Sequence, residues 1–225
     1  SLTSSSSSSY AHKLCVGDNR GTISLFESKR GALNNVFTHN VQSNGMEQKN
    51  NSIDKTAKKD NSITSLSLGG TPGKNGITKL DKIFASTPTQ ILGLSKKGKP
   101  FFNMESNIAE PISIMQVSKS RLFISGEFAY NGYKDGVDFE SFISLDGITC
   151  MEHNELSNSD NYDVYLGSKD KTIRVVRDGN LRLSVDAKQG VTAMGIYNKK
   201  EENRRNTKLV YGARDGGVHC VNVLN

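Results

Sequence analysis

The residues that could do chemistry are few and widely spaced. Four histidines, His12, His39, His153 and His219, show no His-x-His or His-x-x-x-His pattern. A metal needs converging ligands, so a site here would have to be gathered from distant segments, and none is expected. Cys15, Cys150 and Cys220 form no Cys-x-x-Cys pair and each sits among apolar residues with strand character. They read as free thiols used as small hydrophobes in a reducing compartment. The stretch Gly69-Gly70-Thr71-Pro72-Gly73-Lys74-Asn75-Gly76 looks like a phosphate loop at first sight, but three residues separate Gly69 from Gly73, Asn75 follows Lys74, and no helical pattern comes after it. A phosphate-binding loop needs four residues between its glycines, then Lys followed by Ser or Thr, then a helix to aim its amides. The stretch reads instead as a flexible link. Asp18, Asp170 and Asp215 each follow a short apolar run. They could form a ring of carboxylates, but turn capping by the short side chain is the favoured reading. No Ser, His and carboxylate set has a recognisable local frame. Catalytic, cofactor and metal sites are therefore all expected to be absent, and the chain is read as a non-enzyme.

Contacts with partners are the remaining chemistry. Tyr130 and Tyr133 fall in the polar stretch Gly126–Asp138, which reads as an insertion between strands and makes them candidates for exposed contacts. Lys96 and Lys97, in the turn Ser95-Lys96-Lys97-Gly98-Lys99, are the other candidates. The formal charge of +6 would allow an acidic partner. Its basic clusters, here and at Lys199-Lys200 and Arg204-Arg205, fall where turns are expected, and a solvated turn is their plain reading. Nucleic acid is not expected as a partner, and membrane contact only indirectly.

The elements that must position these residues are strands. From Asp163 to Ala187 the chain spells an apolar run, a turn, a strand in which Ile173 and Val175 alternate with Thr172 and Arg174, a second turn, and a strand in which Leu181, Leu183 and Val185 alternate with Arg182, Ser184 and Asp186. Alternation of period two with turn residues between is an antiparallel meander. Ile173, Val175, Leu181, Leu183 and Val185 are expected to pack between neighbouring sheets. The same order of strand, turn, strand, turn, strand opens at Lys13 and recurs along the chain. Ile148–His153 is ambiguous, fitting either the end of one unit or the start of the next.

The residues expected to close the second strand of each unit give the period. Ser86, Gly126, Gly167 and Gly212 are separated by 40, 41 and 45 residues; Gly17 lies 69 before Ser86, or 45 once the 24 residues Thr38–Asn61 are set aside. Four-stranded repeats of this size are propeller blades, since each twisted sheet must bury both faces against its neighbours. The expectation is an all-β fold, a β-propeller of four-stranded antiparallel blades, with about five blades of a seven-bladed ring in this chain; closure with five alone would need the terminal strands to complete one shared blade. A continuous sandwich is the alternative, but it would not need so regular a period. Residues 1–11, seven of them serine, are expected to be a disordered lead-in, 12–225 a partial propeller, and 38–61, rich in Asn, Lys and Ser, a disordered insertion. With 35% hydrophobic residues, no long apolar run and a first residue that is not Met, the chain reads as a soluble piece of something longer.

Tryptophan is absent, so the Trp-Asp signature of the commonest propellers is missing. Lys82-Ile83-Phe84-Ala85, Gln90-Ile91-Leu92-Gly93-Leu94-Ser95-Lys96-Lys97-Gly98-Lys99-Pro100-Phe101 and Arg121-Leu122-Phe123-Ile124-Ser125, running on to Tyr130-Asn131-Gly132-Tyr133, resemble the N-terminal propeller of the Bardet-Biedl syndrome proteins. Val16-Gly17-Asp18 and Leu66-Ser67-Leu68-Gly69-Gly70 look similar too. The resemblance covers roughly 12–37 and 62–223 and rests on structural motifs. It implies a scaffold subunit of the BBSome, a coat-like complex that carries membrane proteins to and from cilia. The partners it implies are the other BBSome subunits, especially the second Bardet-Biedl protein through a coiled coil beyond this sequence, and ciliary membrane-protein cargo through the complex. The places it implies are the cilium, its basal body and the cytoplasm. The alternative is a generic propeller adaptor in another vesicle coat or intracellular scaffold.

Overall fold

The computed structural model describes residues 13–29, 31–41, 60–72, 78–156, 161–201 and 204–222. The serine-rich lead-in and most of the expected insertion lie outside them. Every element is a strand. The first sheet holds β1 (Lys13–Gly17), β2 (Thr22–Lys29) and β3 (Ala32–Asn40), and the second holds β4 (Ser65–Pro72), β5 (Thr78–Ser86), β6 (Gln90–Ser95) and β7 (Pro100–Glu105). The third is β8 (Ile114–Ser118), β9 (Arg121–Ser125), β10 (Ala129–Lys134) and β11 (Val137–Ile143); the fourth is β12 (Ile148–Glu155), β13 (Tyr162–Ser168), β14 (Thr172–Arg177) and β15 (Asn180–Asp186). The fifth holds β16 (Val191–Glu201), β17 (Arg204–Ala213) and β18 (Val218–Asn222). All pairings are antiparallel and between strands consecutive in sequence, so each sheet is a meander. This is the propeller arrangement that the repeat implies.

Adjacent sheets pack face to face, and period two sends alternate residues of one strand into different cores. On β13, Val164 and Leu166 face the third sheet, where they join Phe123 and Tyr130, while Tyr165 faces the fifth sheet with Leu209 and Tyr211. On β9, Phe123 faces the fourth sheet, whereas Leu122 and Ile124 face the second with Ile91. Such central strands are buried throughout, in all five residues of β9 and all seven of β13.

The first strands stitch neighbouring sheets together. Ser65 and Ser67 of β4 accept hydrogen bonds from Met115 N (3.2 Å) and Val117 N (3.1 Å) of β8, and Gln116 of β8 donates to Met151 O of β12 at 2.7 Å. A second device repeats inside four sheets. A hydroxyl at or just before the first strand donates to the carbonyl that closes the second: Thr64 to Ser86 (3.3 Å), Ser113 to Ser125 (3.1 Å), Thr149 to Gly167 (3.0 Å) and Thr192 to Gly212 (3.2 Å). The sequence period thus marks a real structural joint.

Several boundaries differ from the sequence reading. Gly126–Asp138 is no insertion but contains β10, the third strand of its sheet, followed by a tight turn at Asp135 and Gly136. Ile148–His153 opens the fourth sheet, pairing with β13. Gly69 and Gly70 are residues of β4 paired with β5, so that segment belongs to a hairpin within a sheet rather than a link between sheets; Gly73–Gly76 lie outside the described residues. Strand β3 runs to Asn40, taking in the first residues of the expected insertion. The charged clusters at Lys199-Lys200 and Arg204-Arg205 continue the β16–β17 ladder rather than forming a loop. On β15, Leu181 and Leu183 are 49% and 44% exposed, while Ile173 and Val175 on β14 are buried. The alternation is the same, but β15 is the outer strand of its sheet.

Candidate interaction surface

The residues with chemical potential are used structurally. Asp18 Oδ1 accepts from Arg20 N (2.9 Å) and Thr22 N (2.7 Å), Asp170 from Thr172 N (3.2 Å), and Asp215 from Gly217 N (3.0 Å). They are turn caps on three sheets, and the amide of Thr22 holds the Asp18 carboxyl below its usual range. Asp170 does further work. Burial opposes its charge, but Arg174 and Ser168 offset that and hold its carboxyl low. Arg174, itself buried, also donates to Ser168 Oγ (2.7 Å) and Ser144 Oγ (3.3 Å), which ties the turn to the sheet before it.

Cysteines and histidines are dispersed. Cys15 and Cys150 are partly buried and Cys220 is exposed; none is in a disulfide. Burial pushes the Cys150 thiol up to about 11, which makes it a poor nucleophile near neutral pH. His153 lies against Phe123 and Tyr162, with Nδ1 2.7 Å from Gln116 Oε1, and burial lowers its pKa. His39 is on β3 and His219 is stacked on Tyr211. His12 lies outside the described residues. Among those described, no three His, Cys, Asp or Glu side chains gather in a way that could hold a metal.

Tyr130 and Tyr133, expected as exposed contacts, are buried at 0% and 2% exposure. Both are strand residues of β10, pointing into opposite cores. The polar residues around them had suggested a loop, yet those residues pair within the sheet: Asn131 donates to Asp138 at 3.1 Å. The Tyr130 hydroxyl donates to Glu140, whose other oxygen accepts from Gly179 N of the fourth sheet at 2.9 Å. Burial, then the Glu140 carboxylate, raise the Tyr130 phenol well above 10. Gly132 leaves room for this pair, since a Cβ there would meet Glu140 Cγ at 2.7 Å. Only the neighbouring sheet reveals this role, so no local signal could have found it.

Lys96 and Lys97 are exposed, in the turn between β6 and β7. This turn belongs to a repeated joint that sequence reading missed. Its Gly98 has φ of 78° and rests on Phe37 of β3, where a Cβ would come within 2.6 Å of the ring. A Cβ at Gly136, with φ of 80°, would likewise lie 3.6 Å from the Phe102 ring of β7, and one at Gly179, with φ of 71°, 3.1 Å from Ser141 O of β11. In each case a third-to-fourth-strand turn seats on the outer strand of the preceding sheet. A bulge also recurs in these hairpins: Val36, Phe101, Phe139 and Arg182 are the extra residues between successive pairs. A bulge re-aims its side chain, and these stand on the outer strands with Val36, Phe101 and Phe139 at 42%, 47% and 44% exposure.

What the fold presents is thus a set of interlocked blades in which Asp18, Asp170, Asp215, Tyr130 and Glu140 serve turns and joints, with the outer strands partly exposed. Over residues 1–225 the chain matches the model of the BBS7 beta-propeller. The chain belongs to the BBS7 β-propeller family. It is similar to the mouse BBSome complex member BBS7, 27% identical over 214 residues, and to the Caenorhabditis elegans BBSome complex member bbs-7, 26% identical over 164 residues. These alignments take in 94% and 72% of this chain but 26% and 22% of the relatives, so the chain spans about a quarter of their length. Among solved structures, BBS1N in its complex with ARL6DN gives a TM-score of 0.64 at 12% identity, covering 95% of this chain and 61% of that one. The WD40 beta propeller domain of Doa1 gives 0.63 at 11%, covering 93% and 61%. At that identity the likeness is one of fold, and it agrees with the propeller reading of this BBS7-family chain.

Proposed function

We propose that this chain is the propeller of a non-catalytic BBSome scaffold subunit, acting through protein contacts of its blades. The observation that carries the reading is the family match along the whole chain, supported by a structure in which Asp18, Asp170, Asp215, Tyr130 and Glu140 serve turns and joints. Its partners on this reading are the other BBSome subunits, especially the second Bardet-Biedl protein, with membrane-protein cargo reached through the complex. Its places of work are the cilium, the basal body and the cytoplasm, and its membrane contact is indirect. Co-expression of the full-length protein with the second Bardet-Biedl protein, followed by gel filtration, tests it. A single stoichiometric peak is expected, and separate elution of the two at micromolar concentration contradicts the assignment.

A further inference from the structure

We propose that the outer edge of the second sheet is a docking site for an extended acidic segment of a partner protein, which adds to β7 as a fifth strand. Strand β7 pairs with β6, and among the described residues nothing pairs with its other edge, so its backbone groups are a template for a further strand. The turn that leads into it carries Lys96, Lys97 and Lys99, all exposed; the Lys99 amide donates to Ser95 Oγ at 3.2 Å, and the three ammonium groups make no hydrogen bond or ion pair with another described residue. Lysines at a sheet edge ordinarily discourage pairing; here their charge selects for carboxylates instead. The turn is also held in place: Gly98, with φ of 78°, sits against Phe37 of the neighbouring sheet.

An apolar foothold lies next to these cations. The bulge between Gly93 and Leu94 turns Phe101 outwards at 47% exposure. Its ring is braced edge-on against Phe84, centroids 5.6 Å apart, with the Lys82 ammonium 5.1 Å from its centre. Half-exposed aromatics fixed by packing are good anchors, because little side-chain freedom is lost when they are covered. Charge also runs with direction along the strand, from the lysines before Pro100 to Glu105 at its far end. That polarity favours a chain with its acidic residues at one end, and a planar anionic membrane surface cannot use the strand's backbone edge. The inference rests on the scaffold reading only in taking the partner to be a protein.

The test uses full-length protein and a fluorescein-labelled peptide of four glutamates followed by alternating valine and threonine, read by anisotropy at low and physiological salt. Binding that weakens with salt is expected, with a loss of about tenfold or more in K96E/K97E/K99E, because reversing several rim charges acts on both encounter and retention. A charge-reversed control on the opposite rim, K171E/K188E, should bind as the parent does, and unchanged melting temperatures show that both variants fold. Equal losses in the two variants, no loss in the triple variant, or binding to phosphatidylserine vesicles without binding to the peptide would each overturn the proposal. Pairing with the second Bardet-Biedl protein is scored separately on the same variants, so failure of the scaffold reading is distinguishable from failure of this site.

Discussion

Replacing Glu140 with alanine should be among the most damaging single polar changes in the molecule. The side chain is 7% exposed on β11 and serves two sheets at once, accepting from the Tyr130 hydroxyl of its own sheet and from Gly179 N of the next. Glu140→Ala leaves the buried Tyr130 hydroxyl without a partner, at roughly 1–3 kcal/mol, and the half-buried Gly179 amide at somewhat less, so a loss of about 3 kcal/mol is a central value. In a chain of this size each kcal/mol moves Tm by roughly 2–4 °C, which puts the expected fall at about 6–12 °C. Tyr130→Phe removes one of the two donors and should cost less, about 1–2 kcal/mol. The decisive assay is a double-mutant cycle by thermal or urea unfolding. Because the two residues share a bond, the double variant should be less destabilised than the sum of the single ones by about 1 kcal/mol or more. Additive effects, or a Glu140→Ala variant that melts within about 1 °C of the parent, would refute the reasoning that this carboxylate joins the sheets.

Two further changes probe the joints. Gly31 and Gly98 have nearly the same φ, 79° and 78°, but a Cβ at Gly31 meets nothing within 4 Å whereas one at Gly98 meets Phe37 at 2.6 Å. Both alanine variants bear the left-handed backbone penalty, and Gly98→Ala should melt lower still, by an overpacking cost of about 1–3 kcal/mol; equal Tm values would show that the turn does not press on the neighbouring sheet. Acid should act through His153, whose pKa burial lowers below 6.5 despite the opposing pull of Glu155. A base with a depressed folded pKa is protonated first in the unfolded chain, so its stability contribution is whole above about 6.5 and is lost as the pH falls from there toward the folded value. The Tm of His153→Gln should therefore decline less than that of the parent between pH 7.5 and 5, and parallel declines would exclude the histidine as the cause.

Much of the architecture was legible because it is local. Ile173 and Val175 alternate with polar neighbours, Arg177-Asp178-Gly179 spells a turn, and Asp18, Asp170 and Asp215 cap equivalent positions, so repeat length and strand order follow from short-range chemistry. What failed depends on the neighbouring sheet. Tyr130 and Tyr133 sit among Asn, Gly, Lys and Asp, which reads as a loop until those polar groups are seen to pair within the sheet. Leu183 carries the same alternation as Val175, and only its position on the outer strand leaves it in solvent. The bulges at Val36, Phe101 and Phe139 leave no sequence signature, because one extra residue on a strand changes register without changing composition. Of the candidate contacts, Lys96 and Lys97 were placed at a turn by their glycine and stand exposed there.

The proposed place of these blades is in a protein scaffold of the BBSome. Affinity purification of the full-length, tagged protein from ciliated cells at physiological salt, followed by quantitative mass spectrometry, tests it most directly. The account predicts recovery of the other Bardet-Biedl subunits in near-equimolar amounts. Recovery of the protein alone, or with a different assembly and no Bardet-Biedl subunit, would contradict it.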